Sequence, residues 1–160
     1  MVKFIKPNWN EIEKMCKALS KKIEQEFKPD IIVSILRGGM VPARIFSDLL
    51  HNRNVASMRV EFYSGIEKTK KEPIISQTIS CDVKNKRILL VDDVSDSGYS
   101  MKKAVEYLKE KNPSEIRTVA IHYKPKSIFK PDYFYEETEA WIIYPWEKEE
   151  TKKEIGKNEK

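Results

Sequence analysis

Between Ile88 and Ser100 the chain reads Ile-Leu-Leu-Val-Asp-Asp-Val-Ser-Asp-Ser-Gly-Tyr-Ser, so four apolar residues lead directly into three carboxylates, three serines and a glycine. Asp92, Asp93 and Asp96 would repel one another at the end of a buried strand unless something cationic or hydroxylic lies among them. A ribose diol and a magnesium ion (Mg2+) both meet that need: carboxylates accept hydrogen bonds from hydroxyls, and hard oxygen donors suit this cation. Asp96, Ser97, Gly98, Tyr99 and Ser100 then enter a helix, whose free N–H groups and positive dipole end favour an anion such as a phosphate. Gly98 lets the backbone approach closely, and Ser97 and Ser100 add hydroxyl donors. A plain capping turn also uses Asp and Ser, but it does not require so many of them in nine positions.

Two further places carry reactive residue types. Arg37-Gly38-Gly39 breaks the apolar run Ile31–Leu36 and, taken alone, is a strand-to-helix turn bearing a cation. Lys124 follows another apolar stretch, and Trp141-Ile142-Ile143-Tyr144-Pro145-Trp146-Glu147 begins seventeen residues beyond it. A tryptophan pair of this kind serves equally as core filling. His51 and His122 have no partner legible in the sequence and read as structural or surface groups. No Ser/His/Asp set is visible. The pattern GxxxxGK[ST] is absent, which argues against an NTPase, and the early acidic residues of a phosphorylated receiver domain are missing.

These residues need a scaffold. Ile12, Met15, Cys16, Leu19, Ile23 and Phe27 recur at three- and four-residue steps, predicting a helix that Asn8 and Glu11 cap and Pro29 ends. Strands are predicted at residues 31–36, 55–63, 88–91 and 116–123, and helices from near Pro42 and from about Tyr99 to Asn112-Pro113. Residues 64–72 are polar and predict a loop, with 73–79 as its returning strand. Strands alternating with helices give an α/β fold, a central, mainly parallel sheet flanked by helices, with ligands at the carboxyl ends of the strands.

The length of 160 residues suits one domain, residues 1–147, followed by a charged tail at 148–160 that reads as a solvated helix end or frayed terminus. Charged residues make up 34% and the net charge is +5, but the cations are spread along the chain. That surplus suits a polyanionic small substrate, and no nucleic-acid partner is expected. Cys16 and Cys81 lie far apart without CxxC spacing, so neither a zinc site nor a disulfide framework is expected. The absence of a signal-peptide pattern and of an apolar run of about 18 residues predicts a cytoplasmic protein with no membrane partner.

The segment from Ile88 to Ser100 resembles the phosphoribosyl-pyrophosphate signature of type I phosphoribosyltransferases, with serine at 97 and 100 where threonine is common. The resemblance implies the type I phosphoribosyltransferase fold, with a small C-terminal hood at about 124–147 and a flexible lid loop within 64–79. Asp92 and Asp93 would hold the ribose hydroxyls, Asp93 also reaching Mg2+, and Asp96 to Ser100 would hold the 5′-phosphate. Arg37 and Gly38 fall in the pyrophosphate loop, where a non-proline cis peptide precedes the basic residue. Lys124-Pro125 and the Trp141 to Glu147 segment resemble the hood of bacterial and archaeal xanthine-guanine phosphoribosyltransferases. There Trp141 would stack on the purine, Ile142 would offer backbone contacts and Lys124 would donate to the exocyclic O6. Glu147 stands where aspartate is frequent.

The implied activity is Mg2+-dependent purine salvage. A 6-oxopurine (guanine, xanthine or hypoxanthine) and phosphoribosyl pyrophosphate would give GMP, XMP or IMP and pyrophosphate, with Asp96 as proton acceptor or hydrogen-bond partner near N7. Dimers and tetramers are common in the family, so a homodimer or homotetramer is expected. Two alternatives stay open: transfer to another base such as adenine or orotate, and a non-catalytic nucleotide-sensing regulator of the same fold. The first helix and the charged tail lie outside the resemblance.

Overall fold

The computed structural model of the chain describes residues 3–63 and 72–158. In chain order the elements are β1 (Phe4–Ile5), α1 (Trp9–Glu26), β2 (Ile31–Leu36), α2 (Met40–Leu49), β3 (Val55–Tyr63), β4 (Glu72–Gln77), β5 (Arg87–Ser95), α3 (Tyr99–Lys109), β6 (Glu115–Tyr123), β7 (Tyr133–Glu137), β8 (Trp141–Ile142) and α4 (Lys148–Asn158). Alternation along the central strands builds two apolar layers. Ile32, Leu89 and Val91 face α1 and α2, meeting Cys16, Ile23 and Phe46. Val33, Ile35, Ile88 and Leu90 face α3, meeting Met101, Val105 and Leu108. Each side chain so enclosed contributes roughly 1.5–3 kcal/mol by leaving water. The reciprocal Asn8–Glu11 capping box starts α1 as the sequence predicts.

The main sheet has the order β4-β3-β2-β5-β6-β7 and is parallel except for β4, which runs antiparallel to β3. From β2 the chain winds outward through β3, and from β5 it winds the other way through β6 and β7. The strand order therefore reverses between β2 and β5, and α/β sheets form their crevice at the carboxyl ends flanking such a point. The turn carrying Arg37 and the acids of β5 both lie there.

Several expectations need correction. The strand at 88–91 continues to Ser95 because its pairing with β6 runs on to Ser95↔Tyr123, so Asp92 and Asp93 stand within the strand rather than after it. α2 begins at Met40, and α3 ends at Lys109, ahead of Asn112, which adopts φ 56°. β7 is an unpredicted edge strand, pinned where Asp132 Oδ2 accepts from both the N–H and the Oγ1 of Thr118. β1 and β8 form an unpredicted two-stranded parallel sheet. The predicted returning strand is present as β4, whereas the remainder of the expected 64–79 lid, residues 64–71, lies outside the described residues. Among the described residues no helix is long and apolar enough to cross a membrane.

Candidate functional site

β2, β5 and β6 are adjacent, so their carboxyl ends bring the Arg37 turn, the acidic pair and Lys124 to one edge of the sheet. The Leu36–Arg37 peptide bond is cis, the geometry the resemblance implies. Gly38 then passes directly over Asp93: a Cβ on Gly38 would lie 2.5 Å from both carboxylate oxygens. Asp93 Oδ1 accepts the Val94 N–H at 2.8 Å, and Asp92 Oδ1 accepts the Asp93 N–H at 2.9 Å. Burial, and then the charge of Asp93, pushes the Asp92 carboxyl far above the ordinary carboxylate range. Burial, and then the charge of Glu147, pushes Asp93 up to about 6. The indole Nε1 of Trp146, buried without a well-formed hydrogen bond, still favours the charged form of Asp93. Two crowded acids of this kind, hard oxygen donors short of positive charge, fit both a ribose diol and a divalent cation.

Asp96 lies beyond them in the lining of a cleft of about 220 Å³ that also meets Asp93, Lys124, Trp141, Ile142 and Glu147. Lys126 Nζ and Lys124 Nζ approach Asp96 Oδ1 at 3.0 and 3.5 Å, and neither is aligned for a hydrogen bond to this buried oxygen. Lys124 is buried, with its ammonium 5.7 Å from the centroid of the Trp141 ring. Trp141 itself is half exposed, an open aromatic face beside a cation. In β8 the N–H groups of Trp141 and Ile143 donate to Lys3 and Ile5 of the β1 segment. The strand alternation therefore turns the N–H and C=O of Ile142 away from β1, leaving them free for a ligand. Glu147 Oε1 accepts the Tyr144 N–H at 3.2 Å, which ties that acid to the hood backbone.

Ser97, Gly98, Tyr99 and Ser100 do not line this cleft; they form the separate approach to the N-terminus of α3, with Gly98 as N-cap at φ 83°. Tyr99 is half exposed and lines a surface pocket with Pro73 and Lys102. Residues the sequence did not single out hold the loop. Ser95 Oγ meets Ser127 Oγ at 2.9 Å and donates to the Phe129 carbonyl at 2.8 Å, and the Ile128 N–H donates to the Ser97 carbonyl. Another unpredicted strut joins the strand to the hood: Tyr144 Oη donates to the Asp93 carbonyl at 2.9 Å and lies 2.8 Å from His122 Nδ1. With its proton on that carbonyl, the Tyr144 oxygen accepts from a His122 protonated at Nδ1. Burial lowers the His122 pKa to about 4. Hydroxyl and imidazole groups paired across distant segments in this way carry no local signal in the sequence.

Arg37 does not reach the cleft directly. Its Nη1 and Nη2 donate to Glu150 Oε1 and Oε2 at 2.7 and 2.6 Å, and Glu150 in turn lines the cleft. The tail expected to be solvated thus contributes its first turn to the site. A larger groove among the described residues lies at the opposite end of the sheet, where β2 and β3 begin, and holds none of these residues.

The raised Asp93 pKa sets a pH dependence. Between about pH 4 and 6 the folded protein keeps a proton that the unfolded chain, with the carboxyl at its ordinary 3.8, has released. That stabilisation is complete below the unfolded value and is lost as pH rises through about 6. In Asp93→Asn the loss does not occur, so its melting temperature relative to wild type is expected to climb by a few degrees between about pH 4 and 7. His122, with its lowered pKa, imposes the opposite slope on both proteins and cancels in the difference. Thermal melts in EDTA across this range check it, and a flat or falling difference contradicts it.

The family model described as the phosphoribosyl transferase domain matches residues 7–150, which takes in α1 and the first turn of α4, both expected to lie outside. A xanthine-guanine phosphoribosyltransferase of Gluconobacter oxydans is 28% identical over 142 residues, covering 87% of this chain and 82% of that protein. A hypoxanthine-guanine phosphoribosyltransferase of Schizosaccharomyces pombe is 27% identical, covering 88% and 87%. The crystal structure of a purine phosphoribosyltransferase from Pyrococcus horikoshii shares 34% identity with a TM-score of 0.82, over 89% of this chain and 93% of that one.

Proposed function

The chain belongs to the phosphoribosyl transferase domain family, and on that premise we propose that it joins a 6-oxopurine to phosphoribosyl pyrophosphate. In this reaction the purine N9 forms a bond to the anomeric carbon as the bond from that carbon to pyrophosphate breaks, giving the nucleoside 5′-monophosphate. The observation that carries the choice of base is the buried Lys124 ammonium in one cleft with Asp96 and the Trp141 face. Lysine offers donors and no acceptor, so it pairs with a 6-oxo group and not with the 6-amino group of adenine.

The roles of the other residues follow from position. Asp92 and Asp93 accept from the ribose hydroxyls, and the N-terminus of α3 with Ser97 and Ser100 receives the 5′-phosphate. Arg37 and the Gly38 backbone receive pyrophosphate. The anomeric carbon gains positive character as that group departs, so the proton on the base is best withdrawn from the far side; Asp96 accepts it at N7. Trp141 and Ile142 orient the ring, and Glu147 lies beside its far edge. Magnesium, held by Asp93 and substrate oxygens, would supply charge neutralisation of the leaving group.

A panel of bases incubated with phosphoribosyl pyrophosphate, with and without magnesium chloride, tests the proposal. Guanine, xanthine or hypoxanthine is expected to be consumed with release of pyrophosphate, only with magnesium, and adenine and orotate are not. Efficient turnover of adenine alone would overturn the 6-oxopurine assignment. Retained phosphoribosyl pyrophosphate binding with no turnover of any base would favour a sensing role.

A further inference from the structure

Glu150 has no part in the roles just assigned, yet it holds the residue on which one of them depends. Both oxygens of its carboxylate face both terminal nitrogens of Arg37, at 2.6 and 2.7 Å. A guanidinium offers this parallel pair of donors to carboxylates and phosphates alike. The fork of Arg37 is therefore filled, in the free protein, by a group of the same charge sign and bite as its anionic ligand. The position of Glu150 is fixed from behind: the Thr151 N–H and Oγ1 donate to the Glu147 carbonyl at 3.0 and 3.1 Å, and the Glu147 N–H donates to the Tyr144 carbonyl. Acidic residues in the first turn also suit the positive end of α4.

We propose that Glu150 is an internal competitor for the anion that Arg37 receives, so that pyrophosphate, free or carried on phosphoribosyl pyrophosphate, engages Arg37 only when the Glu150 pair opens. The inference rests on the reading of Arg37 as a pyrophosphate ligand. The side chains are 64% and 55% exposed, so the pair opens readily and the competition is graded rather than a block. Opening leaves a carboxylate beside a polyanion, and this repulsion is relieved if the first turn of α4 moves away. That turn, through Glu150 and Thr151, also forms a wall of the purine cleft. Arrival of the anion thereby changes the wall against which the base packs.

Calorimetric titration of sodium pyrophosphate in magnesium chloride into wild type, Glu150→Gln, Glu150→Asp, Arg37→Gln and the Arg37→Gln/Glu150→Gln double variant tests this. Glu150→Gln keeps the shape of the side chain and removes its charge, so pyrophosphate is expected to bind about three- to tenfold more tightly. Glu150→Asp keeps the charge on a shorter arm and is expected to fall between the two. The gain is expected to vanish in the Arg37→Gln background, which separates competition for Arg37 from general repulsion. Unchanged or weaker binding by Glu150→Gln, or the same gain with Arg37 absent, overturns the inference. Wild-type affinity that does not fall on Arg37→Gln instead overturns the reading of Arg37 beneath it.

Discussion

Asp96→Asn is expected to lower kcat by about a hundredfold or more, while the Kd for phosphoribosyl pyrophosphate shifts by less than about threefold. The asymmetry follows from where each part of Asp96 points. Its backbone belongs to the loop that approaches α3 and is unaffected by an amide side chain. Its side chain stands at the purine cleft, with Oδ1 buried and approached by two lysines without an aligned hydrogen bond. The side chain as a whole is 47% exposed, so the other carboxylate oxygen, not the enclosed Oδ1, is the acceptor that a ligand proton would meet. The amide keeps the volume but loses the charge that makes proton acceptance favourable, and it offers an NH₂ group where two ammonium groups already stand. Lys124 loses an ionic partner in the same change, so the KM for the purine is also expected to rise. Steady-state kinetics at saturating purine, with calorimetry for the sugar phosphate, separates these effects. A kcat within about threefold of wild type removes Asp96 from the base-side role.

The parts of this site that the sequence displays are those where local chemistry and chain order coincide. Asp92, Asp93 and Asp96 follow an apolar run in one continuous segment, so strand, crowding and helix entry can be read together. Leu36-Arg37-Gly38 and Lys124 are legible for the same reason, each lying just past an apolar run that becomes a strand. What escapes is made by contacts between distant segments. β1 and β8 are two residues each, too short for any periodicity, and exist only because they pair with one another. Ser127 looks like a loop residue until Ser95 is placed beside it. Glu150 lies in a run of charges that most simply face water, and nothing local shows that one of them meets Arg37 across 113 positions of sequence.

The two glycines of the Arg37 turn are expected to fail in different ways when each is replaced by alanine. Gly39 has φ −69° and ψ −12°, torsions that alanine adopts readily, so any effect arises from contact rather than backbone conformation. Its added Cβ would meet the Val91 carbonyl oxygen and lie 2.7 Å from that of Ile35. Both oxygens belong to the backbone of central strands and have no side-chain freedom with which to withdraw. Gly39→Ala is therefore expected to destabilise the fold by on the order of 3 kcal/mol, lowering the melting temperature by roughly 6–12 °C. The three atoms nearest an added Cβ at Gly38 all belong to the Asp93 carboxylate, at 2.5–2.6 Å, and a side chain can rotate away. Burial already disfavours the charge on Asp93, so moving it toward water offsets part of the disturbance and the melting temperature changes little. The displaced carboxylate no longer stands where the ribose hydroxyls would find it, and binding of phosphoribosyl pyrophosphate is expected to weaken by about tenfold or more. Melting curves and calorimetry on both variants distinguish the outcomes. Equal loss of stability in the two would contradict the view that Gly38 serves the ligand and Gly39 serves the sheet.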